Sequence, residues 1–338
     1  MTLAPTRRID VLLIAVALTI AAVAVAAPFP VLDTPDRPTE PAASLRDTGL
    51  YADWDSKAVA AGNLPFAPQY PLWTDGAAKR RWIRIPPGTA IDASRPDAWQ
   101  FPVGTRMWKE FAFGGRRVET RLMELTSRGW IFASYMWNED ESDAVLAPAR
   151  GAHSRAQVAP GIAHAIPSEP DCHACHDGAA PVLGFSALQL SPDRDPGALH
   201  AEPPPPGAVD LASLVARGLV RGLPESMLRT PPRIAAASPT ERAALGYLHG
   251  NCGGCHGAGG ALASLGLTLA YTVEPDGDRA AARDSTFARP SRFALPGAPA
   301  GAPSLRVAPG RPDQSVLLAR MGSASPISRM PPLGTRVV

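Results

Sequence analysis

All four cysteines of the chain lie in two copies of one pentapeptide pattern, Cys172-His173-Ala174-Cys175-His176 and Cys252-Gly253-Gly254-Cys255-His256. C-x-x-C-H is the attachment signature of c-type haem. Two thiols three residues apart share one helical turn and add to the two vinyl groups of a single porphyrin. The adjoining His then reaches the iron as proximal ligand. The spacing is strict because the macrocycle is rigid, so the chain must present two such turns to two flat groups. A redox dithiol accounts for one C-x-x-C but not for the His that follows it in both copies. A four-Cys zinc ribbon spaces its pairs by about 15–20 residues, whereas Cys175 and Cys252 are 77 apart. Expected, therefore, are two covalently bound haem c groups on Cys172, Cys175, Cys252 and Cys255, with His176 and His256 as proximal iron ligands.

The sixth ligand separates a closed electron-transfer haem from an open one. Met330 stands 74 residues after His256, in Arg329-Met330-Pro331-Pro332-Leu333-Gly334, where two prolines stiffen the loop that would present its thioether. A distal methionine favours ferrous iron and raises the potential. Met321, on a helical pattern with Leu317 and Leu318, reads as core. No single distal ligand for the first haem emerges. His153, His164, His200, Met227, Met123 and Met136 all remain open, as does a vacant distal position.

The address is legible at the N-terminus. Arg7 and Arg8 precede an apolar run of 17 residues, Val11 to Ala27, broken only by Thr19, and Ala24-Val25-Ala26 offers a small-x-small cleavage site. Residues 1–27 therefore read as a signal peptide or, at the lower edge of spanning length, as a membrane anchor over residues 9–27. Either way the remainder lies in the periplasm. The formal charge of +2, from 33 basic and 31 acidic residues, excludes a strongly basic nucleic-acid binder. Ionised haem propionates would lower the net charge further, by roughly two to four units.

Residues 28–45 read as a Pro-rich linker and 46–165 as an antiparallel β-rich domain. All seven Trp fall between Trp54 and Trp137, and they are expected to fill its core. Alternating patterns predict strands over Arg80–Ile85, Thr105–Phe113, Arg116–Leu125 and Trp130–Trp137, with Gly114-Gly115 as a two-residue hairpin turn. After residue 145 the strand signal fades. Residues 166–235 form the first haem-binding segment and a Pro-rich linker, with four consecutive prolines ending at Pro206. Helices are expected at Asp210–Leu219, at Pro239–Gly250 with Ser238 as N-cap and Glu241 completing a capping box, and at Ser315–Met321. The overall expectation is an α+β chain whose last part, 236–338, is an all-α cytochrome c-like domain.

That last part resembles a class I cytochrome c domain: a helix running into C-x-x-C-H, a loop-rich middle, then a Met-Pro loop. From residue 48 onward the chain resembles a bacterial family of di-haem c-type cytochromes with a β-rich N-terminal domain. The matching stretches are Tyr70 to Pro87, Phe101 to Thr105, Val118 to Arg121, Trp137-Asn138, Asp143-Ala144, Cys172 to His176, Asn251 to His256 and Arg329 to Gly334. The resemblance implies one-electron transfer between periplasmic redox proteins and no particular substrate. One departure stands out. The C-terminal helix that usually packs on the helix before the haem motif is missing, since only eight residues follow Met330. The face of Ala243, Ala244, Tyr247 and Leu248 then needs another cover, such as the β-rich domain, unless the chain is truncated. The alternative is a di-haem oxidoreductase of peroxidase type with one open haem. It would need an acid–base residue above the iron, and Glu169, Glu119 and the carboxylates of residues 138–141 are the groups on offer.

Overall fold

Two adjacent glycines set the register of the largest sheet. In the computed structural model, which describes residues 40–337 except 179, 296, 300 and 302, and only the backbone of 155, Gly114 and Gly115 have φ of 56° and 82°. Both dihedrals lie in the left-handed region that a two-residue hairpin turn requires, and Phe113 pairs with Arg116 across it. The expected export segment and residues 28–39 lie outside the described residues.

Strands β1 (Tyr51–Asp53) and β2 (Ala58–Val59) pair with each other. The main sheet comprises β3 (Leu64–Pro65), β4 (Ala78–Arg84) and, after the short β5 (Ile91–Asp92), β6 (Arg106–Phe113), β7 (Arg116–Thr126), β8 (Gly129–Trp137) and β9 (Ala144–Leu146). Its order is β3-β4-β6-β7-β8-β9, antiparallel throughout. The four long strands fall where the alternation places them. Successive side chains in a strand take opposite faces, so each face carries its own rows. One face holds Trp82, Trp108, Leu122 and Ala133 in a cross-strand row and buries it under Leu45 and Leu50. The end of the expected linker is part of this cover: Tyr135 Oη donates to Ala42 O at 3.0 Å, and Leu45 is fully buried. Trp82, Trp99, Trp108 and Trp137 are core residues.

The opposite, inner face carries the row Ile83–Met107–Met123–Phe132. It is packed by segments far along the chain. Phe66, Tyr70, Phe185, Leu188, Leu211, Leu245 and Tyr271 share one core cluster with Ile83 and Met107. The hairpin β10 (Ala152–Ala159) and β11 (Ile162–Ile166) corrects the expectation that strands end near residue 145. Its sequence is rich in Ala and poor in β-branched residues, and its register shifts twice, so the period-two signal is blurred.

Helix α1 (Glu169–His176) follows, capped by Ser168 with Asp171 completing a reciprocal capping box. Next come α2 (Leu211–Ala216), β12 (Val220–Arg221), which pairs in parallel with β5, and α3 (Ser226–Arg229). Residues 191–208 hold no helix or strand, yet they wrap the molecule: Glu202 accepts from the backbone of Lys79 at 2.7 Å. Helix α4 (Pro239–Cys252) begins as expected, with Ser238 accepting from Glu241 N at 3.1 Å. The Glu241 carboxylate reaches back one residue further than a capping box, to Ala237 N at 2.7 Å. Helices α5 (Ala281–Asp284) and α6 (Val316–Met321) are short. Beyond residue 236 the other described residues are loops, turns, brief 3-10 turns and isolated bridges. The chain is thus a mixed α and β structure dominated by antiparallel strands, and the described residues belong to one compact unit.

Candidate functional site

Both pentapeptides sit at helix ends. In the first, Cys172, Cys175 and His176 occupy the last two turns of α1. In the second, Cys252 closes α4, and Cys255 N and His256 N donate to Cys252 O at 3.2 and 2.8 Å, carrying the turn onward. The fold then brings the two together. The thiols of Cys175 and Cys255 are neighbours, and the interaction between them raises the pKa of Cys175 and lowers that of Cys255. Burial raises Cys172, and burial with the neighbouring Cys255 lifts Cys252 to about 12. All four cysteines are unbridged and half-buried. Among the described residues, no three Cys, His, Asp or Glu side chains converge as a metal cage, so the geometry is two separate pairs that meet at one edge.

The segment 181–183 is the bridge between them. Pro181 O lies 2.6 Å from His176 Nδ1, Val182 is buried, and Leu183, 42% exposed, lies against Gly254 of the second motif. Fixing Nδ1 on a backbone carbonyl sets the tautomer and leaves Nε2 as the outward lone pair, the usual arrangement of a metal-bound imidazole. Burial, and after it the charges of Lys109 and Arg121, outweigh that hydrogen bond and hold His176 down at about 4. The ring is therefore neutral and able to ligate at neutral pH. Phe132 flanks it, with centroids 5.3 Å apart, and also meets His173 at 5.0 Å. His256 Nδ1 is a buried nitrogen without a hydrogen-bond partner. Burial and then Arg320 and Arg306 keep its ring basicity low. Free thiol pairs on helical turns, neutral imidazoles and an uncovered leucine beside the second pair fit two covalently held porphyrins.

Met330 is hung from the helix that carries Arg320: Met330 N donates to Arg320 O at 3.0 Å, and Arg320 Nε to Ser328 O at 2.9 Å. Arg320 thus holds the Met330 loop, and its charge also acts on His256. Of the open candidates for the first group, Met123 lies directly opposite Phe132 on the inner face, and Met136 shares that face opposite Glu119. Met227 is core. His200 packs on Trp73 at 4.2 Å. His153 lines a surface groove of about 460 Å³ with Ala324, Pro326 and Arg329. His164 Nε2 lies 2.8 Å from Glu119 Oε2. Of the carboxylates, Glu169 is exposed at the start of α1 and Glu141 is tied to Arg117. Burial acts to raise Glu119, but Arg121 and His164 overcome it and hold the carboxyl at about 2. It is an anion at neutral pH, not a proton donor.

The expected face of α4, Ala243, Ala244, Tyr247 and Leu248, is not the most buried one; the buried residues lie on the opposite side of the helix. Arg242, Leu245 and Gly246 are buried, while Ala244 is exposed. Tyr70 selects that side: a Cβ at Gly246 would fall inside its ring. Tyr70 Oη donates to Asp195 Oδ2 at 3.1 Å, Arg242 reaches Asp193 O at 2.8 Å, and Trp73 N donates to Asn251 Oδ1 at 2.6 Å. The β-rich part and the wrapping segment therefore cover the helix. Pro181, Phe132, Tyr70, Lys109 and Arg121 were missed from sequence. Pro181 acts through its carbonyl and leaves no side-chain signal. Arg121 shares a strand face with Met123, and that phase was readable. No family model, curated protein or solved structure matches the chain.

Proposed function

We propose that the chain is an exported di-haem c-type cytochrome that passes single electrons between periplasmic redox proteins. The observation that carries this reading is the meeting of the two C-x-x-C-H turns at Cys175 and Cys255. Cys172 and Cys175 would hold the first haem with His176 as proximal ligand. Cys252 and Cys255 would hold the second, with His256 and Met330 on its iron. Bound there, the haems supply one-electron chemistry between ferric and ferrous iron. The protein's part is positional. Pro181 orients the His176 ring, Phe132 and the inner face exclude water from one side, and the adjoining turns keep the two groups close. The C-terminal part, 236–338, would then be a cytochrome c-like module whose α4 is covered by Tyr70 and the 193–200 segment.

The test is the mass of the protein after export from a host able to attach haem c. The expected result is the chain mass plus two haems, with each pair mapped by peptide analysis to one C-x-x-C-H. An unmodified mass in that host overturns the reading.

A further inference from the structure

The inner face of the sheet carries charge where burial favours apolar residues. Arg81, Lys109 and Arg121 stand directly opposite one another on β4, β6 and β7, followed by Ser134 on β8. Cross-strand neighbours share a face and lie close enough for their side chains to interact. Lys79, two residues before Arg81, adds a fourth cation on the same face. Arg81 and Lys79 are almost fully buried. The ion pairs at this row are Arg81 with Glu202 at 3.6 Å and Arg121 with Glu119 at 2.7 Å. Among the described residues no carboxylate pairs with the ammonium of Lys109 or Lys79. Lys109 Nζ lies instead over the Phe111 ring at 4.8 Å, and the Arg121 guanidinium lies over the same ring at 4.4 Å. Burying cations costs several kcal/mol each unless they are paired. Burial, then Arg81 and Arg121, pull Lys109 well below its usual lysine range, and burial with Arg81 lowers Lys79 to about 8. An anion placed against this row is what would hold both lysines charged.

Its place identifies the anion. The next row on the same face ends in Phe132, whose ring is 5.3 Å from that of His176. The row therefore starts at Arg121, which feels the charges of Cys172 and Cys175, and runs away from α1 across the sheet through Lys109 to Arg81. It lies on the inner face and not on an outer surface where a nucleic acid or a membrane would be met. A porphyrin attached at Cys172 and Cys175 brings two carboxylates of its own, on the side of the macrocycle away from its thioethers.

We propose that Arg81, Lys109 and Arg121 form the carboxylate-binding wall for the first haem, with Lys109 facing a propionate that no protein carboxylate replaces. This rests on the reading of Cys172–His176 as a haem-attachment site. The wall does two things. It neutralises propionates that are withdrawn from water, and it places positive charge next to the first iron, which favours its ferrous state.

The experiment uses the exported holoprotein and compares wild type, Lys109→Met and Lys109→Arg by mass, peptide mapping and spectroscopic redox titration. In Lys109→Met the midpoint of one haem is expected to move to lower potential, the ferrous-to-ferric ratio at fixed poise falling about threefold or more, while the other haem stays unchanged. Lys109→Arg is expected to titrate as wild type. Loss of haem from Cys172 and Cys175 in Lys109→Met, with retention in Lys109→Arg, supports the same wall. Unchanged potentials and two haems in Lys109→Met overturn it. Equal changes in both variants also overturn it, since packing and not charge would then be at work. A wild-type protein without haem strikes the attachment reading itself, a separate failure.

Discussion

Glu119 shows how a single charge is kept inside this protein. It is fully buried, yet Arg121 takes both carboxylate oxygens, at 2.7 and 2.9 Å, and His164 lies 2.8 Å from one of them. Its pKa falls from 4.5 to about 2 against the opposing effect of burial. Because the folded value is depressed, the stabilisation is full above the unfolded value and is lost as pH falls from about 4.5 towards 2. The size is about 3 kcal/mol. Glu119→Gln is expected to lose about 3 kcal/mol or more at neutral pH, since it leaves Arg121 buried without its partner. Urea unfolding of variant and wild type at pH 7 and pH 3 checks this, and the gap between them should narrow at the lower pH. Met330 offers a second residue-scale test. Its backbone is tied to Arg320, whose charge acts on His256, and in the proposed scheme its thioether would be the second ligand of that iron. Met330→Ala is expected to abolish methionine–iron charge-transfer absorption in the near infrared and to lower that haem's potential. Retention of the band would transfer the role to another residue.

At the scale of elements, sequence and structure agree where a single periodicity decides the matter. The strands from Ala78 to Trp137 were legible because alternation, a Gly-Gly turn and β-branched or aromatic residues coincide. The hairpin 152–166 was not, because Ala, Gln and Arg carry its alternation without the usual strand formers. Helix α1 hid behind Pro170, although Pro in a first helical turn is compatible with helix. Helix α4 is the instructive intermediate. Its start was readable from Ser238 and Pro239, but its buried face was not, because that face is chosen by Tyr70, 176 residues earlier in the chain. Two substitutions separate these contributions. Ser238→Ala removes the cap and is expected to cost about 1 kcal/mol. Gly246→Ala raises intrinsic helix propensity, yet it is expected to destabilise by about 1–3 kcal/mol, because Tyr70 is held by Asp195 and cannot easily yield. Thermal unfolding of the pair decides the ranking. A more stable Gly246→Ala would mean that local propensity outweighs the Tyr70 contact.

The whole molecule is sewn by bonds between distant segments. Gln69 N donates to Gln189 O at 2.9 Å, Asp97 accepts from Thr272 Oγ1 at 2.6 Å, and Asp75 accepts from the backbone of Arg336 and Val337 at 2.7 and 2.8 Å. None of these pairings has a local signature, so the site was legible as two motifs but not as one assembly. Their meeting has a magnetic and thermodynamic consequence. With Cys175 beside Cys255, two haems attached at these turns would share an edge. Reduction of one would then place an extra electron close to the other through protein of low effective dielectric. The coupling is reciprocal: whatever shift the first reduction imposes on the second midpoint, the second imposes on the first. The expected redox titration is two one-electron steps spread further apart than the intrinsic difference between the sites. The fully oxidised protein is expected to show EPR signals broadened by spin–spin interaction, and those of the half-reduced protein should be sharper. A spectrum of the oxidised protein that is the plain sum of two isolated ferric haems would refute the shared edge. The two pentapeptides would then hold haems that work independently, and the contact between Cys175 and Cys255 would be a feature of the polypeptide alone.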